Sequence, residues 1–246
     1  MHIMRILKIL IYLFVGMNFL LLGFLMSNPA GRVIYDIEKA NITKVIDGDT
    51  INTDAGKVRL LGINAPEKNM HGYEQAKDFI SLFESKEVDL VKFNQDKDQY
   101  GRKLRYAFYE GKNINELLLK LGLAHLYYYQ EDDFTNKLKE AENEAQYQEI
   151  GIWTRSKDRC SKCIVLQELN ELDPGEYAIL KNICFHSCDL QDWTIKDDAT
   201  HTEKLDFSIA PLEKKQINYK GRIWNDAGDT LYLRDNKGKL VLFYRY

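Results

Sequence analysis

The sequence predicts a mainly β fold with helices: an apolar amino-terminal segment (residues 1–30), a small barrel with helices packed on it (31–158) and a β-sandwich (159–246). Three observations carry this expectation. Between Val45 and Glu67, two strand-like runs flank a polar turn at Asn52–Lys57. Apolar residues at helical spacing are confined to three stretches between Gly72 and Glu149. From Val165 onward the chain reads as short strands cut by turn residues.

At the amino terminus, Arg5 and Lys8 precede an apolar run from Ile9 to Met26 in which only Asn18 is frankly polar. Its length sits at the lower edge of a membrane span and is long for a signal-peptide core. Positive charge on the amino side predicts export of the chain beyond the run. Ser27-Asn28-Pro29-Ala30 matches a small-x-small cleavage site poorly, which favours an uncleaved membrane anchor over a cleaved signal.

Within 31–158, Gly72–Lys86 has helical spacing, with Ala76, Phe79, Ile80 and Phe83 on one face. Val88–Phe93 and Leu104–Tyr109 read as strands, and Gly111-Lys112 turns the chain. Asn113 caps a helix whose inward residues are Ile114, Leu117, Leu118 and Leu121, and Gly122 ends it. Leu123–Tyr129 reads as extended, and Phe134–Glu149 as an amphipathic helix with Leu138, Ala141 and Ala145 inward. Gly151-Ile152-Trp153 closes the domain.

The hairpin of Val45–Glu67 is expected to gather Asp49, Asn64 and Glu67 around Arg59. Carboxylates crowded beside one arginine call for a metal or a charged substrate to balance them. Hard oxygen donors suit Ca²⁺, and an arginine fork suits phosphate. Charge alone excludes a broadly basic nucleic-acid surface: residues 31–158 hold 19 Lys and Arg against 23 Asp and Glu.

Three motifs in order, IDGDT at 46–50, RLLGINAPE at 59–67 and YGR at 100–102, resemble the staphylococcal nuclease (thermonuclease) family over roughly Ile37–Trp153. The resemblance implies an OB-fold barrel and hydrolysis of phosphodiester bonds in DNA and RNA, with 3′-phosphate products. It implies catalytic roles for Arg59, Glu67 and Arg102. Glu67 would orient or deprotonate the attacking water, and the arginines would offset phosphoryl charge. Ca²⁺ would be held by Asp49, by Asn64 and by the backbone carbonyl of Ala65. Asp47 is expected to form the turn instead. Tyr100 and Tyr128 match positions that line the family's nucleotide pocket, or else pack the barrel.

This sequence departs from the family at three places. Asn64 stands where an aspartate ligand is usual, Ala65 where a threonine is usual, and Gln130 where a second pocket tyrosine is common. With one negative charge fewer, weaker Ca²⁺ binding is expected, and Asn64→Asp should tighten it.

Beyond a polar stretch at Arg155–Lys162, read as a linker, Cys160, Cys163, Cys184 and Cys188 fall close together. They fit either a four-thiolate Zn²⁺ site or two disulfides, and export favours the disulfides. Strands are expected at 165–169, 176–181, 193–196, 217–219, 230–234 and 240–244. Glu176-Tyr177, Asp189–Asp197 and Trp224–Asp235 resemble the lamin-tail domain, which implies an immunoglobulin-like sandwich. Trp193 and Trp224 are expected in its core, and His186 and His201 in its loops. It shows no catalytic constellation, and a binding or tethering role with an unidentified ligand is expected. The whole then reads as an exported, metal-dependent endonuclease. The rival is a nucleic-acid or surface-binding barrel without turnover.

Overall fold

The computed structural model describes residues 35–128, 130–172, 175–199, 201–219, 223–224 and 228–246. The apolar run at 9–26, and with it the anchor or signal expected there, lies outside the described residues. No described helix is long and apolar enough to cross a membrane.

Five strands close into a ring. β1 (Ile37–Val45), β2 (Thr50–Thr53), β3 (Gly56–Leu60), β5 (Glu87–Lys97) and β6 (Lys103–Tyr109) run in the order β3-β2-β1-β5-β6, and β3 returns to pair with β6. That last pairing is parallel, with Arg59 opposite Leu104. The β2–β3 hairpin pairs Thr50 with Arg59 and Thr53 with Gly56. Only Asp54 and Ala55 lie in the turn, tighter than the polarity of 52–57 implied. Ile42, Ile51, Val58, Leu60, Val88, Leu90 and Ala107 point inward and are buried. A short β4 (Ile63–Asn64) leaves the ring to pair with β8 (His125–Leu126), and β7 (Lys112–Asn113) extends β6.

Among the described residues, three α-helices pack on this barrel. α1 (Tyr73–Ser81) stops short of the expected Lys86, and of its predicted inward face only Ala76 and Ile80 are buried. The Asn113 side chain caps α2 (Ile114–Lys120), accepting from the amides of Asn115 and Glu116 at 2.9 and 3.3 Å. The buried face of α2 is Ile114, Asn115, Leu118 and Leu119, so Leu121 is a correction: it lies 43% exposed. The polar Asn115 belongs inside because it accepts from Ala107 N and donates to the Leu61 carbonyl. α3 (Thr135–Gln148) buries Leu138, Ala141 and Ala145 as expected, and also Glu142.

The carboxy-terminal part forms antiparallel sheets around one core. β9 (Ile164–Asn170), β10 (Tyr177–Asn182) and β15 (Lys214–Asn218) make a three-stranded sheet. β12 (Thr194–Lys196), β13 (Thr202–Lys204), β16 (Thr230–Arg234) and β17 (Leu240–Arg245) make a four-stranded one. β11 (Cys188–Asp189) pairs with β14 (Ser208–Ile209). Trp193 and Trp224 lie in the core. The cysteines form two disulfides, Cys160–Cys188 and Cys163–Cys184, so their sulfurs hold no zinc.

The stretch expected as a linker is instead fastened down. Leu240 N donates to Thr154 O, Ser156 N donates to Leu240 O, and Ser156 Oγ donates to Asp235. Trp153 closes the barrel against Tyr232, Leu240 and Phe243 of the four-stranded sheet. The two halves therefore share a core cluster.

Candidate active site

The IDGDT turn places Asp49 at the mouth of the barrel. Ile46 N and Asp47 N both bond the Thr50 carbonyl, and Asp47 accepts from Asp49 N at 3.1 Å, so Asp47 is the turn former. Gly48 allows a close approach: a Cβ there would lie 2.6 Å from the Ala76 Cβ of α1 and 2.7 Å from the Ala65 Cβ. That contact also accounts for a small residue at 65.

Asp49 is buried, and one of its oxygens meets Arg59 Nη2 at 3.1 Å and Ala65 N at 2.9 Å. The other accepts from Thr50 Oγ1 at 3.0 Å. Burial pushes the Asp49 carboxyl up to about 6, against the pull of the Arg59 guanidinium and with help from the nearby Asp47 charge. Arg59 is fixed on both edges: Nη1 donates to the Leu60 carbonyl at 2.9 Å, and Nη2 to Asn64 Oδ1 at 3.3 Å. A guanidinium in an apolar strand needs such partners.

Arg102 reaches the same cluster from the turn just before β6, the strand that pairs with β3. Gly101, at φ 78°, turns the chain, and Asp98 holds Arg102 by Nε at 2.6 Å and by its backbone amide at 2.9 Å. Burial works against the Asp98 carboxylate, yet the bonds from Arg102 together hold it below the usual range. Arg102 Nη1 lies 3.4 Å from Thr50 Oγ1. Thr50 thus bridges the Arg102 and Asp49 sides. Neither Thr50 nor Asp98 was singled out from the sequence; an acid four residues before the arginine was the available signal.

Glu67 stands apart. It follows Pro66 on the loop before α1, exposed, and forms no side-chain hydrogen bond or ion pair with the described residues. Tyr100 is 75% exposed under the Arg102 guanidinium, 5.4 Å from its ring centre. Tyr128 is 38% exposed with Lys139 over its ring. Neither packs the barrel core. Gln130 accepts from Asn94, away from the cluster.

The donor set fits a hard cation. It offers the Asp49 carboxylate, Asn64 Oδ1 and the buried Ala65 carbonyl, to which no described residue donates a hydrogen bond. A carboxylate whose burial one guanidinium does not offset has the electrostatics of such a site.

Comparison with known proteins decides what this arrangement belongs to. Residues 57–155 match the model of the staphylococcal nuclease homologue family. Thermonuclease of Staphylococcus hyicus is 33% identical over 126 residues, 46% of this chain and 74% of that protein. The chain belongs to the staphylococcal nuclease family. Within this family, endonuclease YncB of Bacillus subtilis is 33% identical over 144 residues, covering 53% of this chain and 68% of YncB. The SPbeta prophage-derived endonuclease YokF of Bacillus subtilis is 30% identical over 135 residues, and this chain spans only 46% of its length. The stretch matching the family model contains Arg59, Asn64, Glu67 and Arg102, while Asp49 lies just before it. The lamin-tail resemblance has no counterpart in these matches.

Proposed function

We propose that the chain is an exported, Ca²⁺-dependent endonuclease that hydrolyses phosphodiester bonds of DNA and RNA. The observation that carries this reading is the bonded cluster at one end of the barrel: Asp49 and Asn64 both held by Arg59, with Arg102 joined through Thr50. Two arginines bonded into one polar cluster suit a phosphodiester anion. Relatives named as endonucleases support the same class.

Ca²⁺ would be held by Asp49, Asn64 Oδ1 and the Ala65 carbonyl, and when bound it would neutralise charge on the phosphoryl oxygens. The remaining work falls to side chains. Glu67, exposed and two residues beyond Ala65 in the chain, would take the proton of the attacking water as the oxygen–phosphorus bond forms. Arg102, steadied by Asp98, offers its terminal nitrogens to the phosphoryl oxygens as the bond to the 5′-oxygen breaks, and the departing 5′-oxygen takes a proton from solvent to leave as the 5′-hydroxyl. Arg59, anchored on Asp49, faces the same charge. Tyr100 and Tyr128, open to solvent, offer rings for base contacts.

Residues 159–246 are read as a lamin-tail-like sandwich, which their sheets around one core support. Export is supported by the basic-then-apolar leader and by the disulfides, which persist in oxidising compartments. A plasmid-degradation assay tests the function. Wild-type protein should cut with Ca²⁺ and stop with chelator, and Glu67→Gln and Arg102→Ala should each lose cutting. Undiminished cutting by both variants would refute the assignment.

A further inference from the structure

Asn64 faces two ways. Its Oδ1 accepts from Arg59 at 3.3 Å, and its Nδ2 donates to the backbone carbonyl of Asp198 at 2.8 Å, with the Ala199 carbonyl at 3.4 Å. Those carbonyls belong to the β12–β13 loop of the carboxy-terminal part. An amide is suited to this position because it accepts on one side and donates on the other. A carboxylate would still accept from Arg59 but would set its lone pairs against the Asp198 carbonyl.

The loop is itself rigidly held. Lys196 Nζ donates to the Asp197 carbonyl at 2.9 Å and also to the Ala199 carbonyl. The Asp198 carboxylate accepts from Tyr232 Oη at 2.7 Å and from Thr230 Oγ1 at 2.8 Å. Asp198 N donates to Asp229 at 2.9 Å. On the other side, β4 fixes the Asn64 backbone through its pairing with His125. A rigid carbonyl on one half therefore sets the orientation of a side chain in the other.

We propose that the carboxy-terminal domain is a working part of the nuclease site: its Asp197–Ala199 loop grips the Asn64 amide and so positions Oδ1 and Arg59. Asn64 is a positioning residue through Arg59, and the loop acts through Asn64. This rests on the nuclease reading above and adds to it a role for the second domain. It also changes what Asn64→Asp does. Counting metal charges alone, that variant tightens Ca²⁺ binding and keeps or raises kcat. With the grip lost, kcat falls at saturating Ca²⁺.

The test measures kcat, KM and hydrogen exchange of residues 195–199 in full-length wild type, Asn64→Asp and Lys196→Met. Lys196→Met frees the same loop without substituting a barrel residue, so it remains informative if Asn64→Asp folds poorly; because the Lys196 charge also acts on Glu67 and His125, its kcat is read together with loop exchange and never alone. Both variants should lose about tenfold in kcat, as expected when one buried hydrogen bond is left unmade. KM should move less, and loop exchange should quicken. Unchanged exchange in both would show that there is no grip. Faster exchange with unchanged kcat would show that the grip does no positioning. Either result overturns the proposal. If the wild type cuts nothing, the nuclease reading fails separately, and exchange still decides the contact.

Discussion

The mouth of the barrel and the seam between the two halves both bury charge, and they do so differently. At the seam, Glu142 accepts from Leu126 N at 2.7 Å and from both terminal nitrogens of Arg245 at 3.1 and 3.2 Å. Asp198 beside it is bonded by Tyr232 and Thr230. At the mouth, Asp49 and Arg59 are also enclosed, yet the Ala65 carbonyl receives no hydrogen bond from the described residues and Glu67, two residues on in the chain, is exposed. The seam's carboxylates find their partners within the chain, although among the described residues His125 Nδ1 and Trp153 Nε1 stay unbonded there; at the mouth it is the Ala65 carbonyl that does. A buried charge with every partner inside the protein belongs to the scaffold. One kept next to vacant donors and acceptors is equipped for a ligand.

Variants on the two sides should therefore separate activity from stability. The largest effect is expected at the mouth: Glu67→Gln should lower kcat by about 10²- to 10⁴-fold. Its unfolding midpoint should stay at the wild-type value, because the side chain is exposed and unbonded. A thermal shift as large as a core mutant's would break the contrast. At the seam, Arg245→Met strands the buried Glu142 carboxylate, and burial already raises that group's pKa against the pull of Arg245. Denaturant titration should show a loss of about 2–3 kcal/mol, below the full scale of a broken buried pair because the Arg245 side chain is 41% exposed and Glu142 keeps its bond from Leu126 N.

Smaller is the pH effect of His125, packed between Trp153 and Tyr232. Burial, then the charges of Arg234, Lys196 and Arg245, hold its imidazole well below its usual range. A depressed histidine stabilises above its unfolded pKa, near 6.5, and that stability is lost as pH falls. Between pH 7 and 5 the loss is about 2 kcal/mol. His125→Phe should flatten the stability curve by that amount relative to wild type, and parallel curves would contradict a buried neutral ring. Smallest is Tyr128→Ala, which should raise KM for single-stranded DNA about fivefold, roughly 1 kcal/mol of stacking.

Much of the mouth was legible in the sequence because its determinants are local. Asp47, Gly48 and Asp49 form one turn, the hairpin places Arg59 opposite Thr50, and Asn113 caps its helix through amides two and three residues on. What escaped was set by distant partners. Leu121 carries an apolar side chain, yet the helix turns Leu119 and Asn115 inward because Asn115 finds bonds at Leu61 and Ala107. β11, β13 and β14 are too short to show a period. The polarity of Arg155–Lys162 reads as a linker until its contacts with Asp235 and Leu240 appear. Asn64 read as a weakened metal ligand, and nothing near it in the chain announces a carbonyl 134 residues away.

The central claim is that the Asp49, Arg59, Glu67 and Arg102 end of the barrel handles a phosphodiester. The most direct measurement tracks hydrolysis of single-stranded DNA by the purified protein, with Ca²⁺ and with chelator, and determines the ends of the fragments. Cleavage that requires Ca²⁺ and leaves 3′-phosphate ends is the predicted result. Intact DNA in the presence of Ca²⁺, or equal cutting with chelator, would contradict it.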